Sequence, residues 1–133
     1  MDELARRLED RKADYVAGVE SRGFIVATAL AERMKKGFIP IRKKGKLPWK
    51  TIETSYELEY GTATIEMHRD ALQKGQRVII ADDLLATGGT SNAAAKLVRE
   101  AGGEVAVFAF LIELEPLNGR KNLSEDAISL VKY

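Results

Sequence analysis

Two adjacent acids and a turn of small residues follow an apolar run in the middle of the sequence. Asp82 and Asp83 come directly after residues 78–81, a short apolar run typical of a strand buried on both faces. The turn that follows is made of Ala86, Thr87, Gly88, Gly89 and Thr90. Helical spacing of apolar residues begins there, and unpaired N–H groups at the start of a helix bind anions. The pattern predicts a phosphate-binding turn beside two carboxylates, at the sheet edge where ligands of α/β proteins bind.

Each part of this pattern also has an ordinary explanation. A strand, a Gly-Gly turn and a helix are common in α/β proteins, and paired aspartates can cap a helix. The combination favours a ligand, because neighbouring carboxylates disfavour joint ionisation unless hydroxyl donors, a metal ion or a cation lie close. Consecutive strand side chains point to opposite faces. We therefore expect one of Asp82 and Asp83 to face a sugar directly and the other to act through water or metal.

Cationic side chains occur in two other segments. Ser21 and Arg22 lie between an apolar strand and a helix, where backbone donors and a guanidinium suit an anionic oxygen. Residues 42–55, here called the basic segment, include Arg42, Lys43 and Lys46 among five cations. An exposed turn and a solvated charge run are the alternative explanations. Beside a polyanionic ligand, these cations would stabilise a leaving group as its negative charge grows.

Composition is that of an ordinary globular chain. Its 133 residues are 45% hydrophobic and 31% charged, which predicts one domain over residues 1–133. The 21 basic and 20 acidic residues nearly cancel, so charge gives no reason to expect nucleic acid or a membrane as partner. Cysteine is absent, which excludes disulfides and thiolate chemistry, and no apolar run approaches a membrane span. We expect a soluble, cytoplasmic protein.

Strand and helix patterns alternate along the chain, which predicts an α/β fold with a parallel twisted sheet flanked by helices. A glycine between two β patterns predicts a hairpin at residues 56–67. The expected strands are residues 15–19, 38–41, 56–60, 62–67, 76–82 and 105–112, and the expected helices are residues 2–12, 24–34 and 90–101.

Several motifs, in order from about residue 14 onward, resemble those of the type I phosphoribosyltransferases. The segment DDLLATGGT is similar to the family's phosphoribosyl pyrophosphate signature, in the version of its adenine-specific members. ESRGF resembles the pyrophosphate loop, and RKKGKLP and LEYG resemble the two ends of the mobile catalytic loop. IEMHRDA and LIELEPLNGRKNL are similar to the strand after that loop and to the C-terminal segment. The resemblance implies a Rossmann-like core with a flexible lid hairpin.

The resemblance implies a reaction at the anomeric carbon of phosphoribosyl pyrophosphate, with adenine entering and pyrophosphate leaving to give AMP. The turn from Ala86 to Thr90 would bind the 5′-phosphate, and Asp82 and Asp83 the ribose hydroxyls. Pyrophosphate would contact the following residues: Ser21, Arg22, Arg42, Lys43 and Lys46. Glu59 and Tyr60 would lie near the reacting centre, and together with Arg22 they are the expected catalytic residues. Plain strand alternation explains Glu59 and Tyr60 equally well.

No metal-ligand spacing occurs in the sequence, so we expect Mg²⁺ to arrive with the substrate diphosphate and no metal to be held by the protein alone. The expected partners are phosphoribosyl pyrophosphate, a purine base and a second copy of the chain as a homodimer. Two alternatives remain: a nucleotide-binding module with little catalysis, and transfer to a different purine.

One departure from the family pattern concerns the base. Adenine-specific members carry an N-terminal hood segment over the purine, and we expect this chain to lack it. The base would then contact the stretch around residues 113–118 and bind weakly.

Overall fold

The computed structural model describes residues 1–58 and 60–133. Its helices are α1 (Asp2–Leu8), α2 (Arg22–Met34) and α3 (Gly89–Glu100), and 3₁₀ turns cover Glu115–Leu117 and Gly119–Asn122. Its strands are β1 (Tyr15–Val19), β2 (Gly37–Lys43), β3 (Thr51–Glu57), β4 (Thr62–His68), β5 (Arg77–Leu85), β6 (Glu104–Glu113) and β7 (Ala127–Lys132).

The seven strands form one mixed sheet in the order β3-β4-β2-β1-β5-β6-β7. Strands β2, β1, β5, β6 and β7 run parallel, whereas β4 pairs antiparallel with both β2 and β3. The parallel core and the antiparallel hairpin confirm the expected α/β fold. Because β1 and β5 are adjacent, the turns after them meet at one edge of the sheet.

Apolar side chains cover both faces of the sheet. On one face, Leu97 of α3 packs in a cluster with Ile80 and Phe108. On the other face, α1 and α2 bury Leu8 and Leu30 against the alternate side chains of the same strands. The central strands therefore read as continuous apolar runs, as strands covered on both faces must. The first layer extends to Val19 and Leu85, the last residues of β1 and β5, and polar residues share this edge of the sheet with them.

The observed element bounds correct several predicted ones. Helix α1 ends at Leu8, because the residues that follow are polar and cannot extend its buried apolar face. Strand β3 begins at Thr51 and not at residue 56, so the connection between β2 and β3 is shorter than the basic segment. Strand β5 continues to Leu85, and strand β7 was not predicted. None of the helices described has the length and apolar composition that crossing a bilayer requires.

Candidate active site

A cavity of about 400 Å³ opens at the carboxyl ends of β1 and β5, between the starts of α2 and α3. It brings together most residues that the sequence predicts for the ligand: Ser21, Arg22, Lys43, Asp82, Asp83, Ala86, Thr87, Gly88 and Thr90. Gly89 begins α3 directly behind this turn. The two predicted turns, which are about sixty residues apart in the chain, therefore share one cavity.

The turn before α3 presents unpaired backbone donors. Gly88 adopts a φ of 87°, a left-handed conformation that favours glycine, and it is the N-cap residue of the helix. Its carbonyl accepts the N–H of Asn92 at 2.9 Å. Within the described part of the chain, the N–H groups of residues 87–90 donate to no backbone carbonyl. Free donors at the positive end of a helix suit a phosphate group.

The two aspartates in the cavity wall have different environments. The Oδ1 atom of Asp82 accepts the backbone N–H of Asp83 at 2.8 Å, and the Asp83 carboxylate pairs with the Nε atom of Arg22 at 2.8 Å. Burial, followed by the nearby Asp83 carboxyl group, raises the pKa of Asp82 from 3.8 to about 7. The two acids thus differ in environment, with Asp83 ion-paired and Asp82 able to hold a proton near neutral pH.

The turn after β1 lines the same cavity as the predicted phosphate-binding turn at residues 86–90, here called the phosphate turn. The peptide bond between Glu20 and Ser21 is cis. Gly23 lies directly against the Asp82 carboxylate: a Cβ atom there would be 3.1 Å from Oδ1.

Glu20 binds two of the cations that the sequence assigned to pyrophosphate. Its carboxylate, with only 8% of the side chain exposed, lies 3.2 Å from Nε of Arg42 and 3.0 Å from Nζ of Lys46. It also accepts the backbone N–H of Lys43 at 2.8 Å. Burial favours the neutral acid, but the hydrogen bonds from Lys43 and Lys46 outweigh it and lower the pKa of Glu20. Arg42 and Lys46 therefore face Glu20, whereas Lys43 lines the cavity.

A second buried carboxylate anchors the rest of the basic segment. Glu66 on β4 is only 4% exposed. It accepts the backbone N–H groups of Gly45 and Leu47, each at 3.1 Å, and the Thr51 hydroxyl at 3.3 Å. Glu20, directly after β1, and Glu66, on β4, thus both bind the connection between β2 and β3.

Tyr56 is a cavity residue that the sequence analysis did not single out. It lies on β3, and its hydroxyl accepts a hydrogen bond from the Thr90 hydroxyl at 3.2 Å. This contact joins the hairpin to the first turn of α3. Exposure alternates along β3, and Thr54 and Tyr56 are more shielded than their neighbours. Strand alternation is the signal that could have identified Tyr56 as facing inward.

One predicted catalytic residue, Tyr60, does not line the cavity. Tyr60 is 88% exposed at the tip of the hairpin, and Glu59 lies outside the described residues. The stretch expected to contact the base begins at Glu113, which is buried and bound to Arg120 and Ser129. Hydrogen bonding to Arg120 lowers the pKa of Glu113. Glu113 therefore holds the C-terminal segment together instead of facing the cavity.

The cavity offers few metal ligands of its own. Among the described residues, no group of three or more metal-binding side chains converges. Three carboxylates line the cavity, and of these Glu20 is bound to Arg42 and Lys46, which leaves Asp82 and Asp83 as candidate ligands. One or two carboxylates plus substrate oxygens and water are the usual ligands of Mg²⁺. The donor set therefore fits a magnesium ion that is shared with a phosphorylated ligand.

Comparison with known proteins defines the class. Residues 2–132 match the phosphoribosyl transferase domain, so the chain belongs to the phosphoribosyl transferase family. Within it, the chain is 52% identical over 134 residues to the adenine phosphoribosyltransferase of Clostridium acetobutylicum, covering 100% of this chain and 78% of the relative.

Solved structures agree with this assignment. The adenine phosphoribosyltransferase of Thermoanaerobacter pseudethanolicus superposes with a TM-score of 0.97 at 54% identity, covering 99% of this chain and 77% of that one. The Saccharomyces cerevisiae enzyme, solved with adenine and an imino-altritol bisphosphate, has a TM-score of 0.89 at 39% identity and covers 96% and 73%.

Proposed function

We propose that this chain is an adenine phosphoribosyltransferase, which converts adenine and phosphoribosyl pyrophosphate into AMP and pyrophosphate. The observation that carries the proposal is the shared cavity, in which a turn of free N–H groups, two acids and Arg22 surround a space of about 400 Å³. The high identity to enzymes named for this reaction supports adenine as the base.

The mechanism assigns each part of the cavity to one part of the substrate. The N–H groups of residues 87–90 bind the 5′-phosphate, and Asp82 and Asp83 accept hydrogen bonds from the ribose hydroxyls. Ser21, Arg22 and Lys43 face the diphosphate. Orienting both reactants in this way can supply roughly 7 to 11 kcal/mol of the barrier.

The leaving group gains negative charge as the anomeric bond breaks. Arg22 and Lys43 stabilise that charge more in the transition state than in the ground state, which is what accelerates the reaction. Magnesium, when bound through the diphosphate and Asp82 or Asp83, would supply further charge neutralisation. Arg42 and Lys46 add to this stabilisation of the leaving group once they release Glu20 and bind pyrophosphate. Catalytic roles for Glu59 and Tyr60, a homodimer and a cytoplasmic location remain predictions.

Incubation of the chain with phosphoribosyl pyrophosphate, Mg²⁺ and one purine at a time tests the proposal. We expect AMP from adenine, and far less nucleotide from hypoxanthine, guanine or xanthine. A different nucleotide as the main product would assign another base. Binding of phosphoribosyl pyrophosphate without any product would favour the nucleotide-binding module instead.

A further inference from the structure

Two carbonyl groups of the phosphate turn, those of Ala86 and Thr87, contact the second 3₁₀ turn, whose residues do not line the cavity. The Thr87 carbonyl accepts the side-chain amide of Asn122 at 2.7 Å. The Ala86 carbonyl lies against Gly119 so closely that a Cβ atom at Gly119 would overlap it. A Cβ atom on Gly88 would in turn lie 2.8 Å from the Gly119 carbonyl oxygen. The second 3₁₀ turn therefore forms the outer wall of the phosphate turn.

These outer contacts determine where the N–H groups point. A trans peptide is planar, so its C=O and the N–H of the next residue point in opposite directions. Fixing the Ala86 carbonyl against Gly119 therefore fixes the direction of the Thr87 N–H. Fixing the Thr87 carbonyl with Asn122 does the same for the Gly88 N–H.

The outer wall is itself anchored. Arg120 binds the buried Glu113 carboxylate through two nitrogens, at 3.1 and 2.5 Å, and donates to the Ala127 carbonyl. The Ser129 hydroxyl donates to the same carboxylate at 2.7 Å. Two charge-assisted bonds in a fork geometry fix the Arg120 backbone more tightly than a single bond would. Gly119 and Asn122 are the first and last residues of the same 3₁₀ turn as Arg120, so anchoring the arginine also holds them.

We propose that Gly119 and Asn122 are positioning residues for the 5′-phosphate: they hold the turn carbonyls outward so that its N–H groups converge on the phosphate. The inference rests on the proposed function, because it takes the phosphate turn as the 5′-phosphate site. Neither residue lines the cavity, so both act through the backbone of residues 86–88.

Two variants of Asn122 distinguish the effect of its side-chain hydrogen-bond donor from the effect of the side chain's shape. Asn122→Leu keeps the branched shape and removes the N–H₂ donor, whereas Asn122→Gln keeps a donor on a longer arm. Gly119→Ala adds the Cβ atom that overlaps the Ala86 carbonyl. Lys121→Ala changes an exposed neighbour on the same 3₁₀ turn and is the matched control.

The experiment titrates ribose 5-phosphate, and separately pyrophosphate, into each ¹⁵N-labelled protein while amide signals of residues 87–90 are followed by NMR. We expect Asn122→Leu to bind ribose 5-phosphate about three- to tenfold more weakly, the loss of one hydrogen bond. Gly119→Ala should weaken it further, and Asn122→Gln should recover part of the loss. Pyrophosphate affinity and the Lys121→Ala control should stay at wild-type values.

Three outcomes would count against the proposal. Equal ribose 5-phosphate affinity in the wild type, Asn122→Leu and Gly119→Ala would overturn the positioning role and leave the proposed function standing. Parallel losses of ribose 5-phosphate and pyrophosphate affinity would indicate general disruption and also overturn the role. If ribose 5-phosphate leaves the amides of residues 87–90 undisturbed in the wild type, the 5′-phosphate assignment itself fails along with this inference.

Discussion

Arg22 and Asp83 bind each other in the cavity, with the Nε atom of Arg22 2.8 Å from the carboxylate. Arg22 begins α2 and Asp83 lies near the end of β5. The proposed function assigns them to adjoining parts of the substrate, the diphosphate and the ribose, and the ion pair brings the two side chains together. Substrate binding would replace this contact with one ligand contact for each residue.

Replacing either partner should cripple turnover and leave the fold intact. Arg22→Ala and Asp83→Ala each remove a group that acts on the reacting ligand, and we expect the rate to fall about 100-fold or more. Stability should change by less than about 1 kcal/mol, because the arginine is 73% exposed. Steady-state kinetics and thermal unfolding measure the two effects.

Arg33→Ala is the matched control for that experiment. Arg33 pairs with Asp2 at 2.6 Å, and it too is largely exposed, but it lies far from the active-site cavity. Its removal should leave turnover unchanged. Normal turnover in Arg22→Ala or in Asp83→Ala would remove that residue from the mechanism.

Asp82 makes stability depend on pH. Its pKa is raised to about 7 in the folded protein from an ordinary 3.8, so the folded state holds the proton more tightly than the unfolded chain. The stability this confers is complete below about pH 4, and it is lost as pH rises to about 7.

Asp82→Asn should therefore be more stable than the wild type above pH 7, by at most about 4 kcal/mol, and the advantage should fade towards pH 4. Denaturant unfolding at a series of pH values measures the difference. A gain of the same size at pH 4 and pH 8 would contradict the raised pKa.

Glu20 should hold the basic segment in place. Glu20→Gln removes the buried charge that binds Arg42 and Lys46, so we expect amide hydrogen exchange of residues 43–47 to accelerate several-fold. Glu53→Gln is the control, because it removes an exposed partner of Lys44 in the same segment. Unchanged exchange in Glu20→Gln, or equal acceleration in both variants, would refute a specific role for Glu20.

The Tyr56 hydroxyl should contribute modestly to ligand affinity. Tyr56→Phe removes its bond to Thr90 and so loosens the hairpin against the phosphate turn, which should weaken AMP binding about two- to tenfold. Tyr15→Phe, on β1 away from the cavity, is the control and should bind AMP normally. Calorimetric titration with AMP compares them, and equal affinities would show that Tyr56 serves packing alone.

Local signals predicted the centre of the fold well. The run that became β5, the turn after it and the helix α3 carry apolar periodicity, glycine chemistry and polar residues in one uninterrupted stretch. They formed the expected strand, turn and helix, with β5 three residues longer at its end than predicted. Strand β1 has the predicted bounds for the same reason. The antiparallel hairpin around Gly61 also followed from alternation and a glycine turn.

Long-range contacts could not be predicted in this way. The pairing of Glu20 with Arg42 and Lys46, and the contact of Gly119 with Ala86, depend on segments that meet only after the sheet forms. Strand β7 has apolar residues at four of its six positions, but its place at the sheet edge beside β6 depends on a pairing that forms only with the rest of the sheet. The cation assignment was therefore incomplete, because sequence alone does not show which acid a lysine faces.

A crystal structure of the chain with AMP is the sharpest test of the proposed site. We expect the AMP phosphate to accept hydrogen bonds from backbone N–H groups of residues 87–90, with the ribose hydroxyls at Asp82 and Asp83. A phosphate bound elsewhere, with those N–H groups left without a ligand, would contradict it.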